Sequence, residues 1–253
     1  MWTAGGLGNQ LFIINKALEL NKDSFVLLDT KFYRNDIRYK RKFYFEKKNK
    51  IIPILNERVR FLIFKLNKIL NKFNLLNFYQ ESDYKQKNNG FFKILYLTGY
   101  WQENIKPSKE NINLINNVFH KKQLMERKYV AVHFRSEDYD IKLPKEYYEK
   151  ALKSFNKEEF EFHLFGDSQE NLEEMGKTVF KNTKFKIVKL PNDILEFEKL
   201  KSYRNYISSN STFCWWAIIL NQEKVLKVTS PKKWNTGYEE EFNIYRPSNW
   251  VLI

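Results

Sequence analysis

The sequence predicts an α/β protein whose carboxyl-terminal half is a doubly wound parallel sheet. Two observations carry that expectation: strands and helices alternate strictly from residue 129 to 228, and three of the strands run into short polar corners. A third is compositional. At 253 residues, with 43% hydrophobic and 17% aromatic side chains, the chain can build one large or two modest cores and is not a disordered polymer.

In chain order, Gly5-Gly-Leu-Gly8-Asn9-Gln10 leads into an amphipathic helix through Leu20, and a strand follows from Ser24 to Asp29. Beyond a basic stretch, residues 51–73 read as a long helical run with charged interruptions. A strand at 94–98 ends in Gly99-Tyr-Trp-Gln-Glu103, and 104–119 reads as a linker plus helix. A division falls near 110–125. Beyond it the pattern predicts strand 129–134, helix 144–156, strand 160–165, helix 168–180 and strand 184–190. Helix 193–203, strand 205–209, helix 211–221 and strand 223–228 complete it. No internal repeat interrupts the series.

The corners are where chemistry is expected. Strand 129–134 runs into Arg135-Ser136-Glu137-Asp138, strand 160–165 into Gly166-Asp167-Ser168, and strand 205–209 into Asn210-Ser211-Thr212. In an alternating layout these ends share one edge of a parallel sheet, where open α/β sheets bind ligands. Ser211 and Thr212 stand where a helix begins, so their hydroxyls, the unpaired N–H groups of the first turn and the helix dipole suit an anion. For this corner alone, a plain N-cap on a core helix is the better account. Together the corners gather a guanidinium, a carboxylate and a hydroxyl-lined helix tip, fittings for a diphosphate.

Charge admits several partners. Lys plus Arg number 44 against 30 Asp plus Glu, a net +14, which suits nucleic acid, an anionic membrane or an acidic small molecule. No RNP-like, zinc-finger or helix-turn-helix signature accompanies it, so nucleic acid is not the expected partner. Residues 31–50 hold nine Lys or Arg against two acids, which reads as a face for anionic lipid or as a solvated loop. The single cysteine, Cys214, excludes a disulfide framework within the chain and a Cys-rich metal site, and its apolar helix predicts a buried thiol. No stretch approaches the ~18 uninterrupted apolar residues of a spanning helix, and no signal peptide opens the chain. The expected location is the cytoplasm, with peripheral contact to the inner membrane.

Other features read more plainly. Gly5, Gly6 and Gly8 fit neither a dinucleotide fingerprint, whose third glycine would fall at Leu11, nor a Walker loop, which needs Lys-Ser or Lys-Thr. They predict a tight turn that lets a ligand approach backbone, or one that is only structural. His120 is expected at a helix end and His163 packed or exposed in mid-strand. Of Trp215 and Trp216, one is expected in the core and the other as a packing wall. Tyr100, Trp101 and Gln102 could stack on a sugar or pack in a core.

Taken together, Gly5-Gly-Leu-Gly-Asn-Gln10, Leu97-Thr-Gly-Tyr-Trp-Gln102, His133-Phe-Arg135-Ser-Glu-Asp138-Tyr139, Phe165-Gly-Asp167-Ser168, Asn210-Ser-Thr-Phe-Cys-Trp-Trp216 and Pro231-Lys-Lys-Trp234 resemble, in order and spacing, the bacterial α-1,2-fucosyltransferases of glycosyltransferase family 11. The resemblance implies a GT-B-like fold of two facing Rossmann-like domains with the donor cleft between them, 1–120 on the acceptor side and 121–253 binding GDP-fucose. It implies transfer of L-fucose from GDP-β-L-fucose, with inversion and without a metal or other cofactor, to the 2-hydroxyl of a terminal galactoside. That acceptor would belong to a surface glycan such as a lipopolysaccharide O-antigen, whether lipid-linked or free. By likeness Arg135 holds the β-phosphate, His133 and Asp167 face the guanosine side, and Asn210 to Phe213 wrap the diphosphate. Gly6, Gly8, Asn9 and Ser168 join the donor set, with Tyr100, Trp101 and Gln102 toward the acceptor.

Departures accompany the likeness. Ser136 stands where the family commonly has a second arginine, Glu137 replaces a glycine, and the later carboxylate pair is reduced to Asp167-Ser168. Only Met1 to Ala4 precede the glycine loop, so an opening strand is almost absent and a truncated start is one expectation. Asp138 is the candidate general base, although it could equally orient Arg135. Asp138-Tyr-Asp140 is also a D-x-D, the metal signature of another transferase class. Two other functions remain in view: a nucleotide-sugar transferase of this architecture with another sugar or linkage, and a non-enzymatic basic protein for RNA or lipid.

Overall fold

A computed structural model describes residues 1–20, 26–35, 41–45, 51–54, 58, 61–62, 65–66, 69, 76–80, 94–103, 105–120, 123–136, 142–234 and 244–253. The chain forms two compact units, Met1–Gln102 and Glu103–Ile253.

In the first unit, helix α1 (Leu7–Leu20) starts from a turn at Gly5, whose φ of +81° is left-handed. A Cβ there would meet the Asn9 side chain at 2.5 Å, so glycine is required on two counts. Burial extends well around α1, taking in Leu7, Leu11, Phe12, Ile13, Ile14, Ala17 and Leu18, rather than following a single amphipathic stripe. Strand β1 (Val26–Asp29) is followed by a short helix α2 (Lys31–Asn35) and pairs in parallel with β2 (Ile51–Ile54). The helix expected from residue 51 therefore begins as a strand. Two β-branched isoleucines favour extension, and Pro53 lacks the N–H a helix interior needs while an edge strand tolerates it. Strand β3 (Leu76–Gln80), unexpected from its weak alternation, pairs in parallel with β4 (Ile94–Thr98).

The opening residues join the two pairs. Trp2 N–H donates to Leu97 O at 2.9 Å, Asp29 N–H to Met1 O at 2.8 Å and Thr3 N–H to Asp29 O at 3.0 Å. The nearly absent opening strand is thus present in miniature, with hydrogen bonds to both β1 and β4. Short length is tolerated because neighbours on both sides supply partners.

The second unit opens with helix α3 (Lys109–Asn116), whose Ser108 hydroxyl caps Asn111 N–H at 3.1 Å. Its sheet contains β5 (Tyr129–Phe134), β6 (Glu161–Gly166), β7 (Lys184–Ile187), β8 (Asn205–Ile207), β9 (Lys227–Ser230) and β10 (Val251–Leu252). All pairings are parallel, in the spatial order β10-β9-β8-β5-β6-β7. Helices α4 (Lys145–Leu152) and α5 (Gln169–Thr178) cover one face, packing Tyr147, Tyr148, Leu152, Leu172 and Met175 on Val130, Val132, Phe134, Phe162, Leu164 and Ile207. Strand alternation sends His133, His163 and Phe165 to the opposite face, where α6 (Asp193–Lys201), its following Tyr203, and α7 (Thr212–Ile219) lie. The doubly wound sheet expected of this half is therefore observed.

One strand boundary moved where backbone hydrogen bonds compete. The strand expected at 223–228 starts at Lys227, because Gln222–Lys224 close a 3-10 turn and Leu226 N–H bonds Arg204 O. Trp215 and Trp216 are both buried, their rings crossing at 89°, so neither is an outer wall. Trp215 Nε1–H reaches Tyr245 O at 2.6 Å. Cys214 is buried as expected, and desolvation pushes its thiol up to about 12.

Candidate functional site

After β5 the chain proceeds outward to β6 and β7, then returns to place β8 on the other side of β5. The connections leaving β5 and β8 depart to opposite faces, toward α4 and α7, which opens a crevice between the two strand ends. Arg135 leaves β5 there, and Asn210-Ser211-Thr212 leaves β8 beside it. Arg135 Nη1 donates to Asn210 O at 3.3 Å, so the guanidinium and the start of α7 share one place.

His133 is buried on the α7 side, its Nδ1 2.7 Å from Ser209 Oγ and its ring centroid 6.0 Å from that of Phe213. Tyr148 hydroxyl donates to His133 O at 3.3 Å, and Tyr147 hydroxyl to Ser208 O at 2.6 Å. Burial raises both tyrosines well above their ordinary range, so they remain neutral donors fixing the strand ends. Asn210 Nδ2 donates to Trp234 O at 3.3 Å, tying the corner to the last motif of the sequence.

Asp167 is engaged locally. Its Oδ1 accepts from Ser136 N–H at 2.9 Å and Ser136 Oγ–H at 2.7 Å, and Oδ2 lies 3.1 Å from the same N. The residue after Arg135 is thereby held at the sheet edge. Gly166 makes the approach feasible: a Cβ there would lie 3.1 Å from Phe134 O and 3.2 Å from Leu172 Cδ2. Ser168 accepts from Asn171 N–H at 3.3 Å and so caps α5. Ser211, the N-cap of α7, makes no side-chain cap bond.

In the first unit, Asn9 Oδ1 accepts from Gln102 Nε2 at 2.9 Å, bringing the glycine turn beside the end of β4. Gly8 is buried in the first turn of α1, and space around Gly6 opens toward Arg41, whose Nε would be 3.9 Å from an added Cβ. Gln10, from the same motif, donates to Lys42 O at 2.7 Å and accepts from Tyr44 N–H at 3.2 Å, anchoring the basic loop there. Trp101, at φ +55°, is 3% exposed, with Lys16 Nζ 5.6 Å from its ring. Tyr100 is 39% exposed and is the aromatic side chain of this segment that offers a free face.

Asp138 lies outside the described residues, as do Glu137 and Asp140. Among the described residues no group of three or more His, Cys, Asp or Glu could hold a metal ion. His163 is packed, paired with the Tyr203 hydroxyl and with Glu161 Oε1 at 3.0 Å. Desolvation lowers its pKa, so neutral imidazole is favoured.

Two residues here gave little sequence signal. Ser209 is one serine in a polar run, and only strand pairing brings it to His133. Glu196, in the first turn of α6, is pushed up to about 7 by burial first, then by Asp193, with Asp167 adding to the rise and Lys189 opposing it. A carboxyl in an amphipathic helix reads as surface until the fold partly buries it.

No family model matches the sequence, and no curated protein matches it. Among the solved structures similar to the chain are two transferases. One is a family 9 glycosyl transferase from Veillonella parvula DSM 2008, 11% identical over 100% of this chain and 85% of that one, with a TM-score of 0.46. The other is the E. coli heptosyltransferase WaaC with ADP-2-deoxy-2-fluoro heptose, 9% identical over 100% and 91%, with a TM-score of 0.48. The motif resemblance to family 11 accordingly stands without a matching family model.

Proposed function

We propose that this chain is a glycosyltransferase that draws on a nucleoside-diphosphate sugar and stabilises the departing diphosphate at the β5/β8 edge. One observation carries the reading: Arg135 and the start of α7, whose Ser211 makes no cap bond, meet at the topological switch point. As the acceptor oxygen attacks the anomeric carbon, the bond from that carbon to the phosphate oxygen breaks and negative charge grows on the diphosphate. A guanidinium fork and first-turn N–H groups are fixed donors suited to that charge. The acceptor proton passes to a base, for which Asp138 is the candidate.

The finer reading is GDP-β-L-fucose as donor and the 2-hydroxyl of a terminal galactoside as acceptor, with GT-B-like pairing of two domains. It is supported by the motif resemblance. The second unit takes the donor through His133, Arg135, Asp167 and 210–213, while Ser168 is given to the cap of α5. The first unit, through Tyr100 and Gln102, takes the acceptor, while Gly6, Gly8 and Asn9 approach the donor. A second reading, another nucleotide sugar on the same architecture, is favoured by Ser136: its hydroxyl occupies Asp167, a carboxylate the fucosyltransferase reading assigns to the guanosine side.

The test incubates purified protein with GDP-fucose, GDP-mannose and an ADP-linked sugar against terminal galactosides. Product mass identifies the sugar, NMR locates the bond, and excess chelator checks metal independence. Turnover with GDP-fucose alone supports the finer reading, and turnover with a different donor supports the second. Absence of turnover together with absence of nucleoside-diphosphate binding by calorimetry rejects both.

A further inference from the structure

We infer that the helical face formed by Arg58, Phe61, Leu62, Lys65, Leu66 and Ile69 is a docking surface for an anionic lipid bilayer. All six residues are helical and exposed. Their spacing of three, one, three, one and three positions places them on a single stripe. Phe61 is 66% exposed, Leu62 58%, Leu66 57% and Ile69 50%. Of the described large apolar side chains that are at least half exposed, only Leu226 lies elsewhere, in the second unit. Among the described residues, the strongest apolar exposure of the first unit is therefore grouped here.

Charge selects the occupant. Arg58 and Lys65 lie within the stripe, and the surrounding sequence adds Arg60, Lys68 and Lys72, with Glu57 the one acid between residues 51 and 75. Such a surface repels a second copy of itself and attracts anionic headgroups. Leucine and phenylalanine enter the headgroup and acyl boundary while lysine and arginine stems reach the phosphates. Cationic Arg58 and Lys65 among the apolar positions suit a surface lying in the plane of the headgroups rather than one entering the bilayer interior. Among the described residues no helix is long and apolar enough to span a membrane. The inference does not depend on the identity of the donor sugar.

The experiment is co-sedimentation of the full chain with vesicles of phosphatidylcholine alone and of phosphatidylcholine containing one-third phosphatidylglycerol, at low and high salt. The protein should pellet with the anionic vesicles, bind the neutral ones at least tenfold more weakly, and lose binding as salt rises. The doubly substituted Phe61→Ser, Leu66→Ser protein should lose at least tenfold in binding to anionic vesicles, with its circular dichroism and melting midpoint unchanged. Arg58→Glu with Lys65→Glu, which alters exposed side chains alone, should abolish the preference for anionic over neutral vesicles and keeps the test decisive if the first variant misfolds. Wild-type protein remaining in the supernatant with anionic vesicles overturns the inference. So does binding that both variants leave intact, or a self-association in light scattering that Phe61→Ser, Leu66→Ser removes without any vesicle binding.

Discussion

Ser168 and Ser211 occupy equivalent places in the second unit, each the N-cap of the helix that follows a parallel strand. Their backbones are nearly superimposable, with φ −116°, ψ 121° at Ser168 and φ −116°, ψ 124° at Ser211. Yet Ser168 accepts from the first turn of its helix, and Ser211 does not. Local conformation is therefore not what separates them. Position is: α5 leaves β6, whereas α7 leaves β8 at the switch point, beside Arg135. A helix start that serves only its own fold satisfies its N–H groups internally, while one facing a crevice keeps donors for a ligand.

The comparison breaks most visibly at Arg135. Arg135→Ala should lower turnover about a hundredfold or more, a loss of about 2.7 kcal/mol in transition-state stabilisation, and weaken nucleoside-diphosphate binding by calorimetry. Turnover at the wild-type rate would remove the guanidinium from the mechanism. Next comes Ser211→Ala, expected to cost about tenfold in turnover while the unfolding free energy from urea titration stays within about 0.5 kcal/mol of wild type. Ser168→Ala should do the reverse: about 1 kcal/mol of stability lost with α5's cap, and kcat within about twofold. Equal stability losses at the two serines would erase the distinction.

The smallest effect concerns Glu196. Its folded pKa of about 7 exceeds the ordinary 4.5, so the protonated carboxyl is favoured in the fold. Stability from that protonated state is fully present below about 4.5 and is lost as pH rises through about 7. Glu196→Gln, which keeps the neutral shape, should therefore match wild type near the bottom of that window and melt higher above its top. Melting curves that stay parallel across the range would show that the fold does not favour the protonated Glu196 carboxyl.

The local patterns were legible. Strand 129–134 coincides with β5, the helix expected from 168 begins at the Ser168 that caps α5, and the polar ends of β5, β6 and β8 were visible as interruptions of apolar runs. Elsewhere short range misleads. Residues 51–54 look like the start of an apolar helix, but pairing with β1 and the missing N–H of Pro53 make them a strand. Residues 1–3 look too short for a strand, and hydrogen bonds to β1 and β4 make them part of one. Trp215 and Trp216 point different ways from one helix, and both directions are filled.

By itself, the sequence determined the alternation of elements in the second unit, the residue types at the strand ends and the basic character of residues 31–72, because periodicity, turn chemistry and charge are properties of neighbours in the chain. Tertiary structure alone decided that β8 lies against β5, that Ser136 occupies Asp167 and that Ser211 is spared the duty Ser168 performs. Parallel pairing joins segments about 75 residues apart through hydrogen bonds that no local pattern encodes, and the crevice exists only where that pairing reverses the order of the strands.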